Sequence, residues 1–242
     1  TIWFGAAAAA NFNFYEGSTQ KLNADFTAPV AFHNGNGIGL YAAPLLEINA
    51  PGGLFGVMLQ AGYDSRKGSF EGELTSCNCP ADLKTNLGYI TVEPSLRFSP
   101  FRSNFYLFGG PRIAFNLDKS FTYKQGINPA FPEQAPVPDV EGDLSNVHST
   151  LLSMQIGAGY DIPLSSQNNQ VQAVISPFVS FQPYYGQSPR SIETWTVTSL
   201  RAGAAIKFGR GQRLPPTATS TNIEVDGAPQ YRFTVNSPKN IP

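Results

Sequence analysis

The residue types that most often carry out chemistry are few in this 242-residue sequence. It has two cysteines, Cys77 and Cys79, and two histidines, His33 and His148, all in polar stretches typical of loops. A zinc site needs more ligands than a Cys-X-Cys pair supplies. Catalysis needs a positioned base and a nucleophile, which solvated loop histidines seldom provide. The sequence therefore predicts no catalytic, metal or cofactor site.

One catalytic alternative stays open, because either histidine would gain a partner if it reached a loop carboxylate such as Asp25 or Asp139. Loop histidines are more often plainly solvated, so we expect that the protein is not an enzyme. For the cysteines we expect a local disulfide between Cys77 and Cys79, since an exported chain meets an oxidising compartment.

Eight charged side chains fall on the polar face of segments in which polar and apolar residues alternate. They are Glu47, Asp64, Glu93, Arg97, Arg112, Asp161, Arg201 and Lys207. Four are acidic and four are basic. A poorly hydrated interior holds charges only as pairs, whereas solvated charges on an ordinary amphipathic sheet need no such balance. We therefore predict an ion-pair network in a lumen, in which Glu93, Arg97 and Arg112 belong to one connected group.

Segments with a two-residue hydrophobic period predict eight strands and an all-β fold. The predicted strands are residues 2–15, 38–50, 54–66, 87–99, 105–117, 150–163, 171–185 and 192–209. Short connections such as Pro51-Gly52-Gly53 alternate along the chain with longer polar segments, which are residues 16–37, 67–86, 118–149 and 186–191. No α-helical crossover fits between the strands, so the sheet is predicted to be antiparallel, with short connections at one end and long ones at the other.

The two faces of these strands differ in side-chain volume. One face carries large apolar residues such as Leu40 and Ile48, and the other carries small or polar ones. A soluble cup with an apolar interior would crowd eight bulky stripes into one narrow lumen. The reverse arrangement fits, with the large residues facing lipid. The alanine run at residues 6–10 agrees, because Ala7 and Ala9 suit a crowded lumen.

Outward aromatic residues sort into two sets along the predicted strands. Towards the end with short connections lie Phe4, Phe55, Phe98, Phe105, Tyr160 and Phe208, and towards the other end lie Phe12, Phe14, Tyr63, Phe181 and Tyr185. Two aromatic belts are expected of a barrel that spans a membrane. A net charge of −1 gives no electrostatic reason to expect nucleic acid as a partner.

The closing segment, Leu200-Arg-Ala-Gly-Ala-Ala-Ile-Lys-Phe208, and the eight-strand pattern resemble outer-membrane β-barrels of the OmpA-like family. In that family the terminal strand is a signal for the barrel-assembly machinery. Its alternate residues here are Leu200, Ala202, Ala204, Ile206 and Phe208. The resemblance covers about residues 1–210 and implies an eight-stranded up-and-down transmembrane barrel in the bacterial outer membrane. It also implies long loops outside the cell and both termini in the periplasm.

Residues 211–242 read as a Pro/Thr-rich linker followed by a short periplasmic extension. A peptidoglycan-binding domain often follows the barrel in OmpA-like proteins, but no residues here match its ligand-binding pattern. The expected partners are outer-membrane lipid, the barrel-assembly machinery and, through a domain that this sequence does not contain, peptidoglycan.

The expected function is structural and non-catalytic, as an envelope anchor or as a subunit of a larger outer-membrane complex. One alternative is a small-conductance pore, which inward Tyr106, Phe108 and Arg112 would obstruct. The other is surface binding or adhesion through the long loops, of which residues 128–143 are rich in proline.

Overall fold

A computed structural model describes residues 1–50, 54–100, 103–166 and 170–210 of the chain. The tight turn predicted at Pro51-Gly52-Gly53 and the linker and extension predicted for 211–242 lie outside the described residues. The strands of the described part are β1 (Ile2–Glu16), β2 (Thr19–Lys21), β3 (Thr27–Phe32), β4 (Gly35–Asn49), β5 (Phe55–Leu74), β6 (Pro80–Phe98), β7 (Phe105–Gln125), β8 (Val140–Asp143), β9 (Thr150–Tyr160), β10 (Ile162–Pro163), β11 (Val171–Gln182) and β12 (Thr196–Arg210).

Eight of these strands close into a ring of antiparallel pairs. The order around the ring is β1, β4, β5, β6, β7, β9, β11 and β12, and β12 pairs back onto β1. The closing pair is long, from Trp3 opposite Gly209 to Glu16 opposite Thr196. The prediction of an all-β, eight-stranded antiparallel barrel is therefore confirmed. No helix in the described part of the chain is long and apolar enough to cross a membrane.

The two faces of the ring have the chemistry that their alternation predicts. Ala7 lies opposite Ala43 on one side and Ala205 on the other, and all three are buried in the lumen. On the outer face Leu40 is 69% exposed and Leu96 is 68% exposed. The predicted outward aromatic residues are all exposed or half-buried. This arrangement buries small side chains in a narrow lumen and leaves the large apolar ones for lipid.

The two ends of the barrel differ in their connections. At one end, here called the short-turn end, β4 joins β5, β6 joins β7 and β10 joins β11, and both Ile2 and Arg210 lie there. The opposite end is here called the long-loop end. It carries loop 1 (residues 17–34), loop 2 (75–79), loop 3 (126–149) and loop 4 (183–195).

Several predicted strand boundaries at the long-loop end were wrong. β5 runs to Leu74 and β6 begins at Pro80, so most of the segment predicted as a loop at 67–86 is strand. β7 likewise continues to Gln125, within the predicted loop 118–149. Loop 1 contains the β2–β3 hairpin, and β12 begins at Thr196 rather than at residue 192. The alternation persists in these extensions, but their apolar face points inward. A strand prediction that relies on an outward apolar face therefore ends where that change occurs.

Candidate functional site

A cluster of charged side chains fills the middle of the lumen and is here called the central lumen cluster. Its members are Asp64 and Arg66 of β5, Glu93 of β6, Arg112 of β7 and Arg201 of β12, each at most 1% exposed. They project inward because each stands on the polar face of its strand. The cluster combines two carboxylates with three guanidinium groups.

The central lumen cluster is held together by ion pairs between neighbouring and facing strands. Arg201 lies 2.8 Å from Glu93 and 3.3 Å from Asp64, measured between guanidinium nitrogen and carboxylate oxygen. Arg66 pairs with Asp64 at 2.9 Å, and Arg112 pairs with Asp64 and, at 3.3 Å, with Glu93. Each carboxylate therefore pairs with at least two cations. Such multiple pairing offsets the cost of removing the charges from water.

A second group of charges, here called the lower lumen cluster, lies near the short-turn end. It consists of Glu47, Arg97, Asp161 and Lys207. The Lys207 ammonium group lies 2.9 Å from Glu47 and 2.7 Å from Asp161. Arg97 pairs with Asp161 at 2.6 Å and also with Glu47. Two acids and two bases thus make a neutral group.

The structure places all eight predicted residues in the lumen but divides them between these two clusters. The expectation that Glu93, Arg97 and Arg112 form one group was wrong for Arg97, whose ion pairs with described residues all lie within the lower lumen cluster. The reason is distance, since four residues of strand span about 13 Å between Glu93 and Arg97. The prediction also missed Arg66. Its signal was the two-residue spacing from Asp64, which puts both on one face of β5.

Aromatic side chains occupy the lumen between and beside the charges. The Arg201 guanidinium carbon lies 3.5 Å from the centre of the Tyr41 ring, and that of Arg97 lies 3.9 Å from the Tyr106 ring. Phe108 packs on Phe178 nearby, with ring centroids 6.4 Å apart. These contacts leave the lumen filled rather than open.

An apolar cluster closes the long-loop end and is here called the mouth cluster. Its buried members are Tyr15, Leu22, Ala28, Phe32, Phe70, Ala81, Leu83, Leu87, Tyr89, Ala114, Phe121, Tyr123, Leu144, Leu151, Trp195 and Val197. Trp195 of loop 4 stacks on Tyr15 with ring centroids 4.8 Å apart and contacts Phe70 at 5.5 Å. Loop 1 contributes Leu22 and Phe32. Three loops and the extended strands therefore share one core.

Arg190 of loop 4 joins the loops by polar contacts. Its guanidinium donates to the Ser145 carbonyl of loop 3 at 2.9 Å and to the Thr19 hydroxyl of β2 at 2.9 Å, and it pairs with Glu193 at 3.2 Å. Burial lowers the pKa of Arg190. These contacts connect loops 1, 3 and 4 around one side chain.

Glu193 completes this connection between the loops. Its Oε1 accepts the backbone N–H groups of Gln20 and Lys21, each at 2.9 Å. Burial alone would raise the pKa of Glu193, but these hydrogen bonds, together with Thr19 and the Arg190 charge, hold it below its usual value. Arg190 and Glu193 are here called the loop latch.

The cysteines lie at the tip of the β5–β6 hairpin, in loop 2. Cys77 and Cys79 form a disulfide bond, and the Thr75 N–H donates to the Cys79 carbonyl at 3.0 Å. The Asn128 side chain of loop 3 donates to the Cys77 carbonyl at 2.8 Å, which attaches the Pro-rich loop to this tip. Asn78 takes a left-handed φ of 56° in the turn between the cysteines.

Of the two loop carboxylates named in the catalytic alternative, one already has a partner. Asp139 pairs with Lys124 at 2.8 Å, so its charge is already engaged. The described residues contain no group of three or more histidine, cysteine, aspartate or glutamate side chains that could hold a metal ion.

Comparison with protein families identifies the class of protein that this barrel belongs to. The chain matches the model of the outer membrane protein beta-barrel domain over residues 4–186. It therefore belongs to that family and is a protein of the bacterial outer membrane, which confirms the resemblance to OmpA-like barrels. Comparison with curated protein sequences gives no significant match.

Solved structures similar to the chain include three outer-membrane proteins. Ail, the attachment invasion locus protein of Yersinia pestis, is 11% identical with a TM-score of 0.36, over 85% of this chain and 97% of Ail. Neisserial surface protein A is 11% identical with a TM-score of 0.33, over 84% and 96% of the two chains. OprG from Pseudomonas aeruginosa is 13% identical with a TM-score of 0.33, over 85% and 95%. At these values the likeness adds nothing to the functional argument.

Proposed function

We propose that this protein is a sealed, non-catalytic barrel that acts through its long-loop end rather than through its lumen. The observation that carries the proposal is that the long-loop end has regular structure and a core of its own. β5, β6 and β7 continue as paired strands to Leu74, Pro80 and Gln125, and the mouth cluster and loop latch join three loops to them. A region that served only to connect strands would not need a core of its own.

The filled lumen argues against the alternative of a pore. A permeating ion would have to separate the pairs of both lumen clusters and then pass the mouth cluster, which is apolar and buried. Removing one partner of a buried ion pair costs about 3–5 kcal/mol. A steady conducting path through this lumen is therefore not part of the proposed function.

Surface binding is the activity that the long-loop end supports best, with this end facing the outside of the cell. Leu74, Phe131 and Val137 expose large apolar side chains there, beyond the aromatic belt of Phe14, Tyr63 and Phe181. Single exposed apolar residues are common on protein surfaces, so these three supply contact area for a partner without defining a patch.

An anchoring role at the opposite end is a second candidate. Ile2 and Arg210 both lie at the short-turn end, so residues 211–242 begin on that side of the membrane. In this orientation the extension would reach a periplasmic partner, such as peptidoglycan through a further domain. The outward residues Leu200, Ile206 and Phe208 of β12 would serve as the signal for the barrel-assembly machinery.

Labelling of intact cells tests the orientation. Single cysteines replace Lys124 at the long-loop end or Ser103 at the short-turn end, in a Cys77→Ser, Cys79→Ser background. A membrane-impermeant maleimide should label the Lys124→Cys protein in intact cells and the Ser103→Cys protein only after the outer membrane is opened. The reverse order would contradict the proposed orientation.

Conductance in planar lipid bilayers tests the sealed lumen. The folded protein should give no steady current steps under conditions in which an open porin does. Regular current steps from the native protein would contradict the proposal and favour the alternative function of a small-conductance pore.

A further inference from the structure

The outer face of the extended sheet carries a block of polar residues in two adjacent rows. Lys67 of β5 lies opposite Asn86 of β6, which lies opposite Ser120 of β7. In the next row Ser69, Lys84 and Thr122 occupy the same three strands. The two lysines are diagonal neighbours, so their Cα atoms are about 7–8 Å apart. Two flexible ammonium groups at this separation can reach one anion together.

These two lysines line a cavity and have no anionic partner within the described residues. The cavity has a volume of about 350 Å³, and its wall includes all six residues of the block together with Ile38. Neither ammonium group forms an ion pair with the described carboxylates, whereas Lys124 on the same sheet pairs with Asp139 at 2.8 Å. Glu71 and Asp118 accept hydrogen bonds from the Ser69 hydroxyl and the Asn86 amide, so both carboxylates stay charged beside the block. Neither lysine is engaged in an ion pair with a described residue, so both ammonium groups are available to contact a ligand.

The height of the cavity on the barrel matches the headgroups of a bilayer. Tyr63, 40% exposed, belongs to the aromatic belt nearer the long-loop end, and Lys67 follows it on the same face of β5. Four residues of strand advance about 13 Å, which at a tilt of about 45° is roughly 9 Å along the membrane normal. Aromatic belts mark the boundary of the hydrocarbon layer, so the cavity lies among lipid headgroups. Ile38, 63% exposed, forms its apolar margin.

The polar atoms of the cavity indicate a ligand that carries a hydroxyl group as well as an anionic group. The Oδ1 atom of Asn86 is buried and accepts no hydrogen bond from the described residues, although the amide nitrogen of the same side chain donates to Asp118. A phosphate oxygen cannot satisfy this acceptor, whereas a hydroxyl group of a ligand can. Ser120 and Thr122 line the same cavity.

From this block we propose that the cavity binds the headgroup of a lipid in the adjacent leaflet, with its phosphate between Lys67 and Lys84 and a headgroup hydroxyl on Asn86. The chemistry required is a phosphodiester or phosphomonoester that carries a hydroxylated group. Free phosphate shares the anion but lacks both the hydroxyl-bearing group and the acyl chains that would contact Ile38.

Lipid binding to the full-length protein tests the proposal. Native mass spectrometry in neutral detergent counts bound phosphatidylglycerol and, for comparison, phosphatidylcholine. We expect one phosphatidylglycerol bound in preference to phosphatidylcholine. Each lysine contributes about fivefold to the affinity for an anionic lipid, so the double variant Lys67→Gln, Lys84→Gln should weaken phosphatidylglycerol binding by roughly 30-fold. Heat-modifiable migration verifies that each variant is folded.

The matched control is Lys119→Gln. Lys119 is exposed and precedes Ser120 in β7, but it stands on the opposite face and does not line the cavity. This variant should bind phosphatidylglycerol like the native protein. A weakening of about fivefold by Lys119→Gln, as large as one cavity lysine contributes, would assign the effect to general charge. Unchanged binding by the double variant would show that the cavity does not bind the lipid; either result overturns the proposal.

A competition experiment separates the two sources of phosphate. Inorganic phosphate at 10 mM is added at constant ionic strength, which the lipid site should tolerate without loss of phosphatidylglycerol. Displacement of the lipid by this concentration of phosphate would overturn the lipid as the occupant and assign the cavity to a free anion.

Discussion

The lumen and the mouth cluster are two interiors of opposite chemistry built by the same strands. β5 directs Asp64 and Arg66 into the central lumen cluster, and four residues after Arg66 the same strand directs Phe70 into the mouth cluster. On the outer face the change has the opposite sense, because exposed Tyr63 is followed by exposed Lys67. The interior is polar where the exterior is apolar, and apolar where the exterior is polar.

This contrast follows from the medium around each region. Where lipid surrounds the barrel, the large apolar side chains face lipid, and the narrow lumen takes the polar ones as pairs. Where water surrounds the extended strands, the hydrophobic effect again favours an apolar core. The exchange on β5 lies between Arg66 and Phe70, and on β6 it lies between Glu93 and Leu87. These positions indicate where the lipid-facing part of the barrel ends.

The largest expected effect comes from breaking the central lumen cluster. Arg112→Ala leaves Asp64 and Glu93 each short of a buried cation, at a cost of about 3–5 kcal/mol in the free energy of unfolding. Urea unfolding of the protein in lipid vesicles measures this loss. Lys119→Ala, on the same strand but exposed, should change stability by no more than about 0.5 kcal/mol.

A double-mutant cycle shows whether the loss comes from the ion pair. Glu93→Gln and Arg112→Ala should couple strongly, because the two side chains share one network. Additive effects would mean that the lumen charges act independently and that the lumen is better hydrated than the burial of these residues indicates.

A smaller and more local effect is expected from the mouth cluster. Trp195→Ala removes the ring that stacks on Tyr15 and contacts Phe70, at a cost of about 3 kcal/mol to the packing of the long-loop end. Limited proteolysis of loops 3 and 4 should become faster, while heat-modifiable migration of the barrel stays unchanged. The two regions would then be energetically separable.

Trp195→Phe is the matched control for this experiment. The indole Nε1 of Trp195 is buried and donates to no described residue, so phenylalanine keeps the aromatic contact without removing a hydrogen bond. Its proteolysis should stay close to that of the native protein. If Trp195→Ala instead abolished heat-modifiable migration, the mouth cluster and the lumen would have to be treated as one cooperative unit.

The sequence was sufficient to predict the barrel because the period of two and the volume difference between faces hold along every lipid-facing strand. It was also sufficient to place Glu47 and Lys207 in the lumen, since both stand on the polar face. It did not predict which charges pair, because Glu93 and Arg97 share a face but lie about 13 Å apart along β6.

The long-loop end was predicted poorly, for a physical reason that the two interiors make clear. Residues 67–86 still alternate, but their outward positions are polar, as at Lys67 and Lys84, and glycine and charge made the segment look like a loop. Arg190 stands in a segment predicted as a loop, and Trp195 stands in the predicted strand 192–209, although β12 begins only at Thr196. The partners of Arg190 come from loop 1 and loop 3, and the ring partners of Trp195 come from β1 and β5. Such contacts between distant loops leave no local pattern in the sequence.

The smallest expected effect concerns pH and the loop latch. Glu193 has a left-handed φ of 65°, which costs a non-glycine residue roughly 1–2 kcal/mol, so its contacts must hold it there. Because its pKa is lowered in the folded protein, the stability that its charge adds is present above the ordinary glutamate pKa of about 4.3 and is lost as the pH falls through the folded value.

Hydrogen-exchange protection of the Gln20 and Lys21 amides should therefore stay constant from pH 7 to about 5 and fall below about 4, while the lumen strands, whose amides serve as reference, stay protected. Glu193→Gln should lower this protection modestly at pH 6 and remove most of its pH dependence, whereas Glu71→Gln, an exposed change, should leave the native profile. A native profile that is flat to pH 3, or a Glu193→Gln profile that still falls, would mean that the loops are held by the mouth cluster alone.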